Sequence, residues 1–193
     1  MSVWDEDLVD PFLAEISDEE REALARAVAQ EVATPPVGLR ERLVAEAALD
    51  GRFDRYAPAV AALLDIDEAT AKTLLDGIGQ SELWYRGLVP DVDLYDVEGG
   101  PSVTDAITGF LRLPAGTPFP EHGHLGTETS LIVQGSATDD RGTIWRPGDV
   151  VVVTADEVHS FRARPGPDLV FLVVAQQGVR FGDTVLGPHD PRM

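Results

Sequence analysis

Cysteine is absent from this 193-residue chain, which excludes disulfide bonds, thiolate catalysis and any zinc site built on Cys. Basic residues are scarce: 15 Lys and Arg stand against 34 Asp and Glu, for a net charge of −19. That balance repels phosphate backbones and anionic membranes, and no local basic patch offsets it. Neither nucleic acid nor a membrane is therefore an expected partner, whereas a basic protein is easily accommodated. Long apolar runs are missing too. No uncharged stretch of about 18 apolar residues is available to span a bilayer, and "MSVWDEDLVDPF" is acidic where a secretory signal is basic and then apolar. A cytoplasmic location is expected. The chemistry left to the chain is that of His, carboxylates and hydroxyls, on a scaffold whose 44% hydrophobic residues suffice for a real core.

Both halves are acidic, with 19 acidic and 7 basic residues in 1–85 against 15 and 8 in 86–193. Their textures differ more than their charge. In the first half, Ser17 followed by Glu20 reads as a capping box opening a helix through "DEEREALARAVAQEVA", which Thr34-Pro35-Pro36 stops. A second helix, "VGLRERLVAEAALDG", shows Leu39, Leu43, Ala47 and Ala48 on one face, and two shorter ones lie around "RYAPAVAALLDI" and "DEATAKTLLDGI". From about Leu88, β-branched residues alternate with polar ones between turn signals. This predicts strands at "DLYDVE", "DAITGFLRLP", "ETSLIVQGSATD", "GTIW", "DVVVVTA", "VHSFRAR" and "DLVFLVVAQ". Many short strands at this spacing indicate a sandwich or small barrel. The expected fold class is thus α+β: an all-helical region over 1–85 and a β-barrel domain over 86–193.

The stretch "GTPFPEHGHLGTETSLIVQG" (116–135) carries two of the chain's four histidines one residue apart. Residues two apart on a strand share a face, so His122, His124 and, past a turn, Glu128 can converge on one point. A fourth ligand is expected on another strand, and His159 supplies it in a β-rich context with Phe161 and Ala163 on the same face. Three imidazoles and one carboxylate suit a divalent metal. Zinc is the first expectation; manganese, iron, nickel and copper are alternatives that the affinity order does not separate.

These residues resemble the cupin family, whose motifs run G-x5-H-x-H-x3/4-E-x6-G and G-x5-P-x-G-x2-H-x3-N. Gly116, His122, His124, Glu128 and Gly135 match the first at every spacing. Gly148 and His159 match the second, while Thr154, Asp156 and Ala163 replace its Pro, Gly and Asn. The resemblance implies a double-stranded β-helix or jelly-roll barrel with the metal held inside. "FLRLPAGTPFPEHGHLGTETSLIVQGSATDDRGTIWRPGDVV" is further similar to the C-terminal cupin of ChrR-type anti-sigma factors, which follows a small helical domain. "TPPVGLRERLVAEA" resembles a Pro-Pro-x-x-Leu-Arg segment of such factors. The resemblance implies a sigma factor as partner of the helical region, a small-molecule ligand in the barrel, and a homodimer. The anti-sigma zinc module, however, uses His-x3-Cys-x2-Cys and another His, and this chain has no cysteine and no histidine before His122.

Other features have structural readings. "VAALLDIDEATAKTLLDGIG" has the layout of a helix-turn-helix, but Lys72 stands between Glu68 and Asp76, so an αα-hairpin packing its Leu and Ala faces is the plainer expectation. Trp84 and Tyr85 are expected to pin the helices to the barrel. Ser130 should point inward, and Arg112, Gln134, Trp145 and Arg162 are open to either face. Two functions follow: a ChrR-like regulator that senses a small molecule at a barrel metal and contacts a protein through its helices, or a metal-dependent cupin enzyme of dioxygenase type.

Overall fold

The computed structural model describes residues 51–155 and 157–190, with Ser17, Glu19, Glu22 and Gly38 standing alone before them. The chain divides into two compact units, 1–47 and 48–193. Apart from Glu19 and Glu22, which are helical, and Gly38 and Gly51, which are in turns, the first two expected helices lie outside the described residues. Within them, two helices, α1 (Ala57–Leu64) and α2 (Glu68–Gly77), precede two six-stranded antiparallel sheets. The first sheet runs, in spatial order, β1 (Tyr85–Arg86), β2 (Asp93–Asp96), β3 (Ala106–Leu113), β10 (Leu169–Gln176), β5 (Glu128–Gln134) and β8 (Val150–Val153). The second runs β12 (Thr184–Leu186), β11 (Val179–Phe181), β4 (Pro118–His124), β9 (Val158–Ala163), β6 (Ala137–Asp139) and β7 (Ile144–Trp145). This is the expected α+β arrangement of helices followed by a jelly-roll-type barrel. No described helix is long and apolar enough to cross a membrane.

The sequence of β10, "LVFLVVAQ", explains the layering. Every residue but the last is buried, so the strand must be covered on both faces. Leu169, Phe171, Val173 and Ala175 join an interior core with Phe119, Phe161 and Trp145. Val170, Leu172 and Val174 join an outer core with Leu131, Val133 and Phe110, and with Val60, Leu64, Ala71 and Leu75 of the two helices. Alternation along one strand thus feeds two cores, one inside the barrel and one under the helices.

The helical pair is an αα-hairpin, not a free reading head. Asp65 ends α1 in the left-handed conformation (φ 56°), and Asp67 caps α2 by accepting hydrogen bonds from Thr70 N (2.9 Å) and Oγ1 (2.7 Å). Lys72 pairs with Asp54 at 3.5 Å. Trp84 clasps this hairpin to the sheet as expected: it is buried, donates from Nε1 to Ile78 O (3.1 Å), and lies edge-on to Tyr95 beneath the Arg112 guanidinium. Tyr85 instead faces outward, its hydroxyl donating to Asp96 (2.6 Å).

Candidate metal centre

Strand β4 delivers its histidines through an irregularity. Phe119 pairs with Phe161 and His122 with His159, so three steps on β4 match two on β9. This bulge resets the alternation, and Phe119, His122 and His124 all turn inward. Without it, Phe119 and His122 would lie on opposite faces. Their rings lie 4.9 Å apart, and Phe119 stacks on Phe161 at 4.8 Å. His159 faces His122 across the ladder, and Glu128 enters from the other sheet as the first residue of β5. The motif glycines Gly116, Gly135 and Gly148 all have positive φ, the reason a side chain is disfavoured at these turns.

The structure therefore brings together all four residues singled out from the sequence. His122, His124, Glu128 and His159 are each at most 7% exposed, and one ligand atom from each lies within 4.8 Å of the others. His159 Nε2 is 3.1 Å from both His122 Nε2 and His124 Nε2. His122 Nδ1 is 3.0 Å from the Pro120 carbonyl. A carbonyl only accepts, so the proton of His122 sits on Nδ1 and its Nε2 lone pair points at the cluster. One proton on His159 can satisfy His122 or His124 but leaves the other lone pair facing it. A cation serves all three. Two metal–nitrogen bonds of about 2.0–2.1 Å, meeting between a right angle and a tetrahedral angle, separate their nitrogens by about 2.9–3.4 Å, which brackets the observed spacing. His124 Nδ1 is buried without a hydrogen-bond partner, although Glu128 Oε2 lies 3.4 Å away. That approach is close enough for electrostatic attraction but poorly aligned.

Electrostatics prepare the same role. Burial, helped by the neighbouring His159, pushes His122 down to about 3 and His124 down to about 4, and burial lowers His159 as well. The imidazoles are thus neutral, the state that ligates. Burial raises Glu128 to about 7, partly offset by the Ser130 hydroxyl, which donates to Oε1 at 3.0 Å. A cation beside Glu128 would favour its charged form while the neutral imidazoles offer it their lone pairs.

Two recesses of unlike chemistry reach the cluster. An apolar cavity of about 70 Å³ opens beside His122 and Glu128, walled by Leu94, Ile107, Leu111, Val173, Phe181 and Leu186. On the other side, His159 borders a recess lined by Asp139, Asp140, Arg141, Trp145 and Glu157, in which Arg141 and Glu157 pair at 2.9 Å. Ser130 is buried inward as expected; of the open assignments, Trp145 is also buried inward, whereas Arg112 pairs with Asp93 at 3.0 Å and Arg162 reaches the Gly116 carbonyl at 2.8 Å. Gln134 hydrogen-bonds Asp168 O at 3.1 Å. Phe119, Phe181 and the Pro120 carbonyl, which fix His122, were not singled out from the sequence. The β4 bulge breaks the alternation that would have marked Phe119 as inward, and the three-residue β11 is too short to mark Phe181.

The barrel and its inward cluster of three histidines and a glutamate are those of a cupin. Residues 98–179 match the family model described as the ChrR Cupin-like domain. Anti-sigma-E factor ChrR of Cereibacter sphaeroides is 30% identical over 156 residues, covering 77% of this chain and 68% of that protein. The chain belongs to the ChrR-like cupin family. Among solved structures, Rhodobacter sphaeroides SigE in complex with the anti-sigma ChrR matches at 23% identity and a TM-score of 0.49, over 83% of this chain and 82% of the other. An RmlC-like cupin protein of Ralstonia eutropha matches at 25% and 0.48, over 54% and 73%.

Proposed function

We propose that this chain is a cytoplasmic regulator of the ChrR type: one divalent metal, zinc in the first instance, is held by His122, His124, Glu128 and His159, and the N-terminal region contacts a sigma factor. The observation that carries the regulatory reading is the reach of the ChrR match. An alignment of 156 residues is longer than the stretch from 86 to 193, so it extends into the region before the barrel. A metalloenzyme of this size has no need of that region. The absence of cysteine means that sigma contact here works without the thiolate zinc module of other anti-sigma factors.

A metal at this position supplies positive charge and Lewis acidity in a pocket that already excludes water from its donors. The protein's own part is to keep the imidazoles neutral and to orient His122 through Pro120. A second reading, a metal-dependent cupin enzyme, is favoured by one feature, the apolar cavity that reaches His122 and Glu128.

The deciding experiment is affinity capture from the native cell by the tagged full chain, with bound proteins identified by mass spectrometry. Enrichment of a sigma factor, lost on deletion of residues 1–47, is expected. Failure to capture any sigma factor overturns the regulatory reading. Cobalt-substituted protein tests the enzyme reading: a four-coordinate spectrum indifferent to azide fits sensing, and five- or six-coordination that shifts with azide fits catalysis.

A further inference from the structure

The apolar cavity has walls too uniform to be indifferent to what enters it. Strands from both sheets contribute to it, yet His122 and Glu128 are the only side chains with a polar group among its lining residues. Among the described residues, no Lys or Arg lines it, nor any Asn, Gln, Ser or Thr. The turn at Gly87–Val89 lines its outer end: Gly87 N donates to Val92 O at 2.9 Å, and Leu88 stands 55% exposed. Phe119 lies edge-on to the His122 ring at 4.9 Å and Phe181 stacks on it at 5.4 Å, and with His122 and Glu128 both buried the polar groups of the lining stand away from the exposed Leu88.

From this lining we propose that the cavity takes a compact apolar molecule with a single oxygen-bearing head, anionic or neutral, head inward toward His122 and Glu128, and that it rejects dianions and polyols. The inference deepens the metal reading and rests on it for the anionic head alone. A second carboxylate or a row of hydroxyls would be stripped of water against hydrocarbon with no partner, which is strongly disfavoured. An apolar body gains instead. Each methylene taken from water into such a wall is worth about a fourfold rise in affinity. The charged recess at His159 offers the opposite environment, so the two approaches to the cluster are distinguishable by ligand chemistry.

The test uses three probes of similar length, hexan-2-one, hexanoate and adipate, titrated by ligand-observed NMR into zinc-loaded and metal-stripped full-length protein. Hexan-2-one should bind both forms alike, and hexanoate should bind the zinc form at least tenfold more tightly than adipate. Ile107→Trp, which fills the cavity from β3, should weaken hexan-2-one and hexanoate at least tenfold while zinc content stays at the wild-type level. Val89→Trp, placed in the outer turn where folding is least at risk, should do the same. Adipate binding as well as hexanoate, or probe binding that survives both tryptophan variants, overturns the proposal. If zinc fails to bind at all while hexan-2-one still does so in a manner blocked by Ile107→Trp, the metal reading falls and the apolar cavity stands.

Discussion

His159 is the residue on which the cluster turns, because its Nε2 is the one nitrogen within 3.1 Å of two other imidazoles. His159→Ala should reduce bound metal from about one ion per chain to near zero, as read by elemental analysis, with far-UV circular dichroism keeping its β signature, since the interior core has its own aromatic and aliphatic members. Glu128 makes a different prediction, about pH. Its carboxyl is raised from 4.5 to about 7 in the metal-free fold, so between those values the folded state holds a proton that the unfolded chain releases. Stability from this group is therefore greatest below pH 4.5 and is lost as pH rises through 7, by roughly 3 kcal/mol over the whole window. In metal-free protein, urea unfolding at pH 5 and pH 8 should show wild type losing about 2.5 kcal/mol more than Glu128→Gln, because part of the window lies below pH 5. Equal losses would show that the carboxylate is already ionised when buried. Zinc should abolish the difference, because a cation beside the carboxylate favours its charged form.

Among the elements, those with clean alternation or an unbroken β-branched and apolar run are legible in the sequence, and those with interruptions are not. β3, β5, β8, β9 and β10 fall within predicted stretches, and the hairpin of α1 and α2 follows from Leu and Ala spacing with Asp67 as cap. The candidate site was legible for the same reason: His122, His124 and Glu128 are consecutive inward positions around one turn. Period-two patterning does not mark the whole of β4 as a strand, because Pro118 and Pro120 withhold ladder donors and its bulge breaks the period. β11 and β12 have three residues each, too few to show a period, although Gly182-Asp183 between them is a hairpin signal. That the helices share a core with the sheet cannot be read from composition; it depends on which face of β10 meets them. Phe110 measures this dependence, being fully buried and stacked on Tyr95 at 5.6 Å within that outer core. Phe110→Ala should destabilise the protein by about 3–5 kcal/mol. Chemical denaturation followed at 222 nm and by tryptophan fluorescence should still give coincident transitions, since helices and barrel unfold as one cooperative body. Separated transitions would mean that the hairpin is only a loose cover.

At the scale of the whole molecule, charge sets the partner. With a net −19, the chain should show no retention of duplex DNA in a gel-shift assay at about 0.15 M salt, and any binding at very low salt should vanish steeply as salt rises. Sequence-specific retention at the higher salt would show that the α1–α2 hairpin had been misjudged. Association with a basic protein should instead slow with added salt while surviving it, because screening removes steering before it removes contact. Strand β5 gives this arrangement a mechanical side. It begins inside the barrel with Glu128, and three and five residues later its opposite face carries Leu131 and Val133 beneath the helices. An extended strand barely stretches along its length. Anything that moves the backbone at Glu128 therefore meets the resistance of the outer core through Leu131 and Val133. A single seven-residue strand thus has one face in the His–Glu cluster and the other in the core beneath the helices.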